Sequence, residues 1–240
     1  ASLGGNTITS TANITASLLK QTSNTVGIGN LVHSTSPDGD FATAVGYRAG
    51  SLQQGFEATA IGVSSGNTNQ GNAAVPVGSE AGKLNQGFKA VAIGSEAGQT
   101  SQGNVTVAVG EGAGESYQSI NSIAIGVGAG ARYQGQVSGS SVGGNAIAIG
   151  NDAMNGGVTT GDNNIAIGAS AGDALTSGYS NTFLGNDSGG TITTGHSNTF
   201  IGQNAATNNN SGTQKTTAIG ASAGANGDSD ESIFIGFAAA

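Results

Sequence analysis

Few side chains in this sequence could act as a base at neutral pH, since His33 and His196 are its only histidines. His33 is followed closely by Ser34 and Asp38, and these three residue types together can form a nucleophilic triad. Such neighbours are common in a Ser-rich loop, so a surface loop is the favoured interpretation. His196 follows Gly195, where the chain is expected to turn, and the same interpretation holds. We therefore expect no catalytic residues and a protein that is not an enzyme.

Metal and cofactor chemistry is also sparse. The chain has no cysteine and two histidines, which argues against a transition-metal site. Asp228, Asp230 and Glu231 form the densest acidic cluster, and carboxylate oxygens suit hard cations. Calcium-binding β-roll repeats would carry Asp in every turn, so a solvated loop is favoured here. The run Gly110–Gly114 is similar to a phosphate loop, but no basic residue or helix follows it. No metal and no cofactor are expected.

Composition narrows the class of protein further. The 240 residues include 44 glycines, and only 36% are hydrophobic and 8% charged, which excludes a deep core of large side chains. The net charge is -8 with six scattered Lys and Arg, so no nucleic-acid partner is expected. No apolar run approaches the length of a membrane span, so no membrane insertion by this segment is expected.

The strongest pattern is a short motif with a repeat length of about 16–18 residues, seen most clearly as Asn121–Gly126 (Asn-Ser-Ile-Ala-Ile-Gly). The interval from Gly126 to Gly150 is longer than the basic interval by half a repeat, which places an insertion within 131–144. Glycine alone adopts positive φ at little cost, which predicts a corner after each motif. The motifs close at Gly29, Gly46, Gly62, Gly78, Gly94, Gly110, Gly126, Gly150, Gly168, Gly185, Gly202, Gly220 and Gly236.

Within each motif, β-branched residues alternate with Ala or Phe, which is typical of a β-strand. Further glycines between motifs predict more corners, so each repeat forms one coil of short strands, and the coils stack about 4.8 Å apart around a narrow core. We expect an all-β solenoid of about thirteen coils over residues 24–240. Residues 1–23 lack the motif and are a strand, a cap or a connector.

The motif copies Asn121–Gly126, Asn145–Gly150 and Asn163–Gly168 resemble the head repeat of the YadA-like trimeric autotransporter adhesins. The later variants Asn181–Gly185 and Asn198–Gly202 are similar to repeats found also in phage tail fibres. The resemblance implies a left-handed parallel β-roll that forms an intertwined or side-by-side homotrimer. The usual family repeat is slightly shorter than the repeat of this chain, and no family-type neck, stalk or anchor sequence is present.

The alternation gives each strand two faces, and we expect the β-branched pair to fill the coil. The Ala or Phe would then point outward and pack against the other chains of the trimer, because an exposed apolar column is rarely tolerated in a monomer. The residues expected to face the trimer are Ala44, Ala60, Ala92, Ala108, Ala124, Ala148, Ala166, Phe183, Phe200, Ala218 and Phe234.

These patterns suggest a cell-surface adhesin head that binds an extracellular matrix protein, a host-cell receptor or another surface. The Ala238–Ala240 end is typical of an excised segment, so an outer-membrane anchor would lie in a part not present here. A virion tail-fibre segment is the first alternative. An ice-binding solenoid is the second, suggested by threonines such as Thr43 and Thr59. The insertion offers Arg132, Tyr133 and Gln134 as candidate ligand-binding residues, because binding residues often lie on loops.

Overall fold

The computed structural model describes residues 19–22, 25–32, 39–130, 136–137, 140–141, 144–156, 160–209, 211–225 and 230–239. These residues form a parallel β-solenoid, as the motif predicts, and contain no helix that could cross a membrane. The strands are β1 (Leu19–Thr22), β2 (Thr25–Ile28), β3 (Thr43–Val45), β4 (Leu52–Gln54), β5 (Thr59–Ile61), β6 (Thr68–Gln70), β7 (Val75–Val77), β8 (Leu84–Gln86), β9 (Val91–Ile93), β10 (Val107–Val109), β11 (Ile123–Ile125), β12 (Gln136–Val137), β13 (Ser140–Ser141), β14 (Ile147–Ile149), β15 (Ile165–Ile167), β16 (Thr182–Leu184), β17 (Thr199–Ile201), β18 (Thr217–Ile219) and β19 (Ile233–Ile235).

The thirteen motif strands and β1 form one 14-stranded main sheet, whose order is β1-β2-β3-β5-β7-β9-β10-β11-β14-β15-β16-β17-β18-β19. Each motif pairs in parallel with the equivalent residues of the next coil, so that Ala108 lies beside Ala124. Ile123 pairs with Ile147 across the insertion, whose β12 and β13 form a separate antiparallel pair. The insertion therefore leaves the stack of coils unbroken.

Two further features complete the described framework. At the N-terminal end of the main sheet, β1 pairs antiparallel with β2. On another wall of the coils, β4, β6 and β8 form a three-stranded minor sheet, which is extended by bridges from Leu84 to Thr100 and from Thr100 to Ser116. The glycines that close the motifs all bend the chain with φ between 127° and 138°, the conformation that the predicted corners require.

The interior of the solenoid is lined by the Ala or Phe of the motif, which corrects our expectation about its two faces. Ala124 is completely buried within its own chain, whereas Ile125 is 37% exposed. The buried residues cannot contact another chain, so their predicted trimer-facing role is wrong. They are Ala44, Ala60, Ala92, Ala108, Ala124, Ala148, Ala166, Phe183, Phe200 and Ala218, all with no exposed surface. Phe234 points toward the same core but is only partly buried, because it lies in the last strand of the main sheet.

The closeness of the opposite wall explains this arrangement. A Cβ atom added to Gly114 would lie 3.4 Å from the Cβ of Ala108, and one added to Gly172 would lie 3.7 Å from that of Ala166. The space between the main sheet and the opposite wall of these coils therefore accommodates one methyl group but not a pair of β-branched side chains. Because strand side chains alternate between faces, placing the Ala inside turns both of its neighbours outward.

Buried amide side chains link successive coils through hydrogen bonds. The Nε2 of Gln86 donates to the Oε1 of Gln102 at 3.1 Å, and Gln102 donates in the same way to Gln118 at 3.2 Å. In the later coils, Asn181 Nδ2 donates to Asn164 Oδ1 at 3.1 Å. A buried polar group needs such partners, so each ladder specifies the register between coils.

Phenylalanine replaces alanine inside the later coils. The rings of Phe183 and Phe200 stack with their centroids 5.5 Å apart, and both are completely buried. Leu175 and Ile192 are buried in the same core. The solenoid therefore changes its internal filling from Gln and Ala to Asn and Phe along its length, while the main sheet remains continuous.

Candidate functional site

The main sheet presents a continuous outer face, which consists of the first and third side chains of each motif strand. These side chains point away from the interior because the central side chain of the strand points into it. The first row contains Val26, Thr43, Thr59, Val75, Val91, Val107, Ile123, Ile147, Ile165, Thr182, Thr199, Thr217 and Ile233. The second row contains Ile28, Val45, Ile61, Val77, Ile93, Val109, Ile125, Ile149, Ile167, Leu184, Ile201, Ile219 and Ile235.

The outer face is mostly apolar and regular along the solenoid, with Thr at five positions of the first row and Val, Ile or Leu at the other positions. Its strands are in register, so equivalent side chains recur about every 4.8 Å, the spacing of neighbouring strands. Ile61, Ile93 and Leu184 are 39%, 42% and 42% exposed, and neither row contains a charged residue. Contiguous apolar surface of this kind marks an interaction site in soluble proteins.

These residues were not predicted to form an interaction surface, because the β-branched side chains were expected to fill the interior of the coil. The signal was present, since a β-branched pair flanks the central residue in nearly every motif. The sequence did not indicate the width of the interior. This width is small because the opposite wall approaches the main sheet at Gly114 and at the equivalent glycines of other coils.

The candidate ligand-binding residues of the insertion, Arg132, Tyr133 and Gln134, lie outside the described residues. The same is true of His33 and Asp38 and of their neighbour Ser34. Neither the loop-binding hypothesis nor the triad hypothesis is therefore tested by the described geometry.

His196 lies on the surface of the later coils. Its ring stacks on Tyr179 of the preceding coil with a centroid distance of 4.6 Å, and its Nδ1 lies 3.3 Å from the Oγ of Ser197. These contacts give the ring a packing role between coils. The surface interpretation of this histidine from the sequence agrees with its position.

The acidic pair Asp230 and Glu231 joins one coil to the next. Asp230 accepts hydrogen bonds from the backbone N–H and the side-chain amide of Gln214, which lower the pKa of its carboxyl group, with a smaller contribution from the charge of Lys215. Lys215 forms a 2.8 Å ion pair with Glu231, and this contact raises the pKa of the ammonium group. Asp228, the third member of the cluster, lies outside the described residues.

A second acidic group lies farther back along the solenoid. Partial burial raises the pKa of Asp173, and the charges of Asp187 and Asp152 act in the same direction, against a hydrogen bond from the backbone of Ala174. Within the described part of the chain, no three His, Cys, Asp or Glu side chains are grouped closely enough to hold a metal ion.

The phosphate-loop pattern at Gly110–Gly114 uses its backbone amides within the solenoid. The N–H of Gly112 donates to Ser95 O at 2.9 Å, and that of Gly114 donates to Ala129 O at 2.9 Å. A phosphate loop needs such amides to be free and convergent on one point. These glycines are corners, as the sequence favoured.

Comparison with known proteins adds no relative, since no family model matches the chain and no curated protein matches it significantly. The parallel solenoid, with each motif paired in register with the next, is compatible with a β-roll repeat. The outer face of the main sheet is thus the strongest candidate for a functional surface in the described residues, and its chemistry suits association with another flat apolar surface.

Proposed function

We propose that this chain is a segment of a non-enzymatic extracellular fibre, in which three copies pack side by side through the outer face and which attaches to other surfaces. The observation that carries the proposal is the unbroken pair of uncharged rows from Thr43 and Val45 to Ile233 and Ile235, of which the second is wholly apolar. Association would remove these rows from water, at a gain of about 25 cal/mol for each Å² of apolar surface buried.

A second copy of the chain is the partner that best fits the outer face. The face is long, flat and periodic, so a partner needs equal length and a matching period to cover it. Another copy of the same sheet has both properties, and copies related by rotation about one axis can form a closed assembly. The resemblance of the repeats to YadA-like heads supports three copies.

The proposed attachment function depends on surface loops that are repeated in every coil and in every copy of the chain. Each coil exposes loops away from the outer face, so a trimer presents the same side of the solenoid in three copies. Many weak contacts of this kind combine through avidity. We propose a matrix protein, a host-cell receptor or another surface as the target, and a cell-surface adhesin head as the parent, with a virion fibre as the alternative.

Attachment should depend on assembly. Ile125→Glu places a carboxylate in the middle of the outer face, and we expect the resulting monomer to bind at least about 100-fold more weakly than the trimer, because avidity is lost. Binding of labelled protein to immobilised collagen, fibronectin and laminin and to fixed cultured cells measures the effect.

The matched control is Gln53→Glu, which adds the same charge at an exposed residue of the minor sheet and should leave attachment unchanged. Full attachment by monomeric Ile125→Glu would refute the role of avidity. Absence of wild-type binding to every surface tested would argue against the adhesin role.

An ice-binding role is a second candidate, because the structure places five threonines on the outer face. They are Thr43, Thr59, Thr182, Thr199 and Thr217. Regularly spaced hydroxyl and methyl groups on a flat sheet can order water, but Val or Ile occupies the same row in the remaining coils. Thermal hysteresis in a solution of the wild-type chain would favour this candidate over the adhesin.

A further inference from the structure

Each motif strand is flanked by two exposed corners on opposite edges of the outer face. We define the leading corner as the residues six and five positions before the closing glycine, and the trailing corner as the residues one and two positions after it. In the coil of Gly94, Phe88 and Lys89 form the leading corner, and Ser95 and Glu96 form the trailing corner. The strand between them spans about 10 Å, so the two corners of one coil are separated within a chain.

The two corners are both apolar in some coils and differ in others, since Phe88 leads and Glu96 trails in the coil of Gly94. Phe56 leads and Val63 trails in the same coil, with 40% and 51% of their surfaces exposed. Ile120 and Val127 form a similar pair, 51% and 53% exposed. Between these coils, the polar residues Asn72 and Ser79 occupy the equivalent positions.

The charges of the two corners show a clearer pattern than their polarity. In the coil of Gly46, Asp40 leads and Arg48 trails, and in the coil of Gly94, Lys89 leads and Glu96 trails. In none of the coils from Gly46 to Gly236, whose corners are all described, do both corners carry charge of the same sign. The acidic residues are Asp40, Glu57, Asp162, Asp230 and Glu231 on leading corners, and Glu80, Glu96, Glu111, Asp152 and Asp187 on trailing corners.

A chain with 14 acidic and six basic residues would readily place acids on both corners of one coil. Acids do follow one another along a single corner, as Glu80 and Glu96 do on trailing corners of successive coils, so no general avoidance of like charge operates along the chain. Like charges are therefore kept apart specifically between the leading and trailing corners of one coil. These two corners lie on opposite edges of the outer face and do not touch within one chain.

The basic members of these pairs have no acidic partner within the described part of the chain. Lys89 Nζ lies 4.9 Å from the ring centroid of Phe88, and the guanidinium of Arg48 lies 5.2 Å from that of Tyr47. Both cations thus rest on apolar side chains of their own corner, with their charge available to another molecule.

We infer that the copies of the proposed homotrimer meet corner to corner in a closed head-to-tail ring, with coils at the same level. The leading corner of each copy packs against the trailing corner of the next, so Lys89 pairs with Glu96 of the neighbouring copy, Arg48 pairs with a neighbouring Asp40, and Phe56 packs against a neighbouring Val63. Such a heterologous contact closes after three copies when the rotation between them is one third of a turn. The inference rests on the proposed trimer and specifies its orientation and register.

Disulfide cross-linking tests this contact, because the chain has no cysteine of its own. In the double variant Phe56→Cys with Val63→Cys, we expect mild oxidation to give covalent trimers on a non-reducing gel. Each single variant should stay uncross-linked, because its cysteine meets no second cysteine. The matched control is Phe56→Cys with Ser79→Cys, where the trailing cysteine lies one coil away, at about 4.8 Å along the solenoid, and should cross-link at least tenfold less.

Covalent dimers from either single variant would indicate a two-fold contact and overturn the head-to-tail ring. Equal cross-linking by the control would overturn the register. If sedimentation shows trimers but the Phe56 and Val63 cysteines do not cross-link, the corner contact is wrong while the trimer stands. If sedimentation shows monomers, the proposed trimer itself fails.

A charge exchange provides a second measurement. Lys89→Glu or Glu96→Lys alone places like charges on facing corners, and each should raise the dissociation constant of the trimer about 3- to 10-fold at low salt. The double variant exchanges the two charges and should restore the wild-type constant. Additive weakening in the double variant would contradict the pairing.

Discussion

Ala124→Glu should strongly destabilise the fold of the chain, whereas Ile125→Glu should leave the chain folded and dissociate its assembly. The two residues are neighbours on β11, but Ala124 has no exposed surface and Ile125 is 37% exposed. A glutamate at position 124 must place a carboxylate inside the solenoid, where the opposite wall leaves room for little more than a methyl group. A buried, unpaired charge in such a site is among the largest single-residue effects, at more than about 4 kcal/mol.

The expected result for Ala124→Glu is a fall in Tm of about 10–20 °C, or loss of the cooperative transition. Circular dichroism with thermal melting measures it. Ile125→Glu should keep the β-sheet spectrum and lose only the stability that assembly provides. A folded Ala124→Glu variant that has merely become monomeric would restore the original assignment, in which this alanine faces a partner chain.

Gly110→Ala should destabilise the solenoid nearly as strongly as Ala124→Glu, because the added Cβ would strain the backbone and contact that of the next coil. Gly110 has φ of +128°, which L-residues rarely adopt, and an added Cβ would lie 2.5 Å from the carbonyl oxygen of Gly126 in the next coil. The side chain would have to push two coils apart at the main sheet. We expect a cost of about 3 kcal/mol or more, and thus a fall in Tm of about 6–12 °C.

Gly112→Ala is the control for this prediction. Gly112 lies in the same corner with φ of +61°, and no heavy atom lies within 4 Å of the position of an added Cβ. Equivalent positions hold Glu80 and Glu96 with φ of 58° and 59°, so the fold accommodates a side chain there. We expect a cost of about 1 kcal/mol. Equal destabilisation by both variants would show that the contact with Gly126 is unimportant.

The fold was predictable because its strongest determinant is a spacing. Glycine recurs at each corner, and strands of the Ile123–Ile125 type recur with the same period, so stacked parallel coils follow from the sequence with little ambiguity. Ile123 pairs directly with Ile147 across the long interval between Gly126 and Gly150, so the register of the main sheet continues past this interval.

The direction of the strand faces was not predictable by the same reasoning. Period-two alternation defines two faces but does not say which one is inside, and a rule that larger apolar side chains fill the core gave the wrong answer. The deciding contact is non-local, since the opposite wall approaches Ala108 through Gly114 of the same coil. Once that distance is known, the face with one central side chain fits inside and the face with the β-branched pair does not.

The buried amide ladder was visible in the sequence but was not recognised. Gln precedes Gly at the same point of successive coils, at Gln54, Gln70, Gln86 and Gln102. A polar residue that recurs at a fixed point of successive coils is a candidate for a buried ladder. Gln86 and Gln102 form such a ladder, whereas Gln70 donates to the main-chain oxygens of Thr59 and Ala74. The amide stays inside because it donates to main-chain oxygens, as Gln102 does to Val91 at 2.8 Å.

The claim that copies of this chain associate through the outer face is tested most directly by sedimentation equilibrium. The wild-type chain and the Ile125→Glu variant are measured separately and their masses compared. We expect a wild-type mass of three times 23.0 kDa and a mass of 23.0 kDa for the variant, with both proteins folded. A wild-type mass of one chain at micromolar concentration, or an Ile125→Glu variant that stays trimeric, would contradict it.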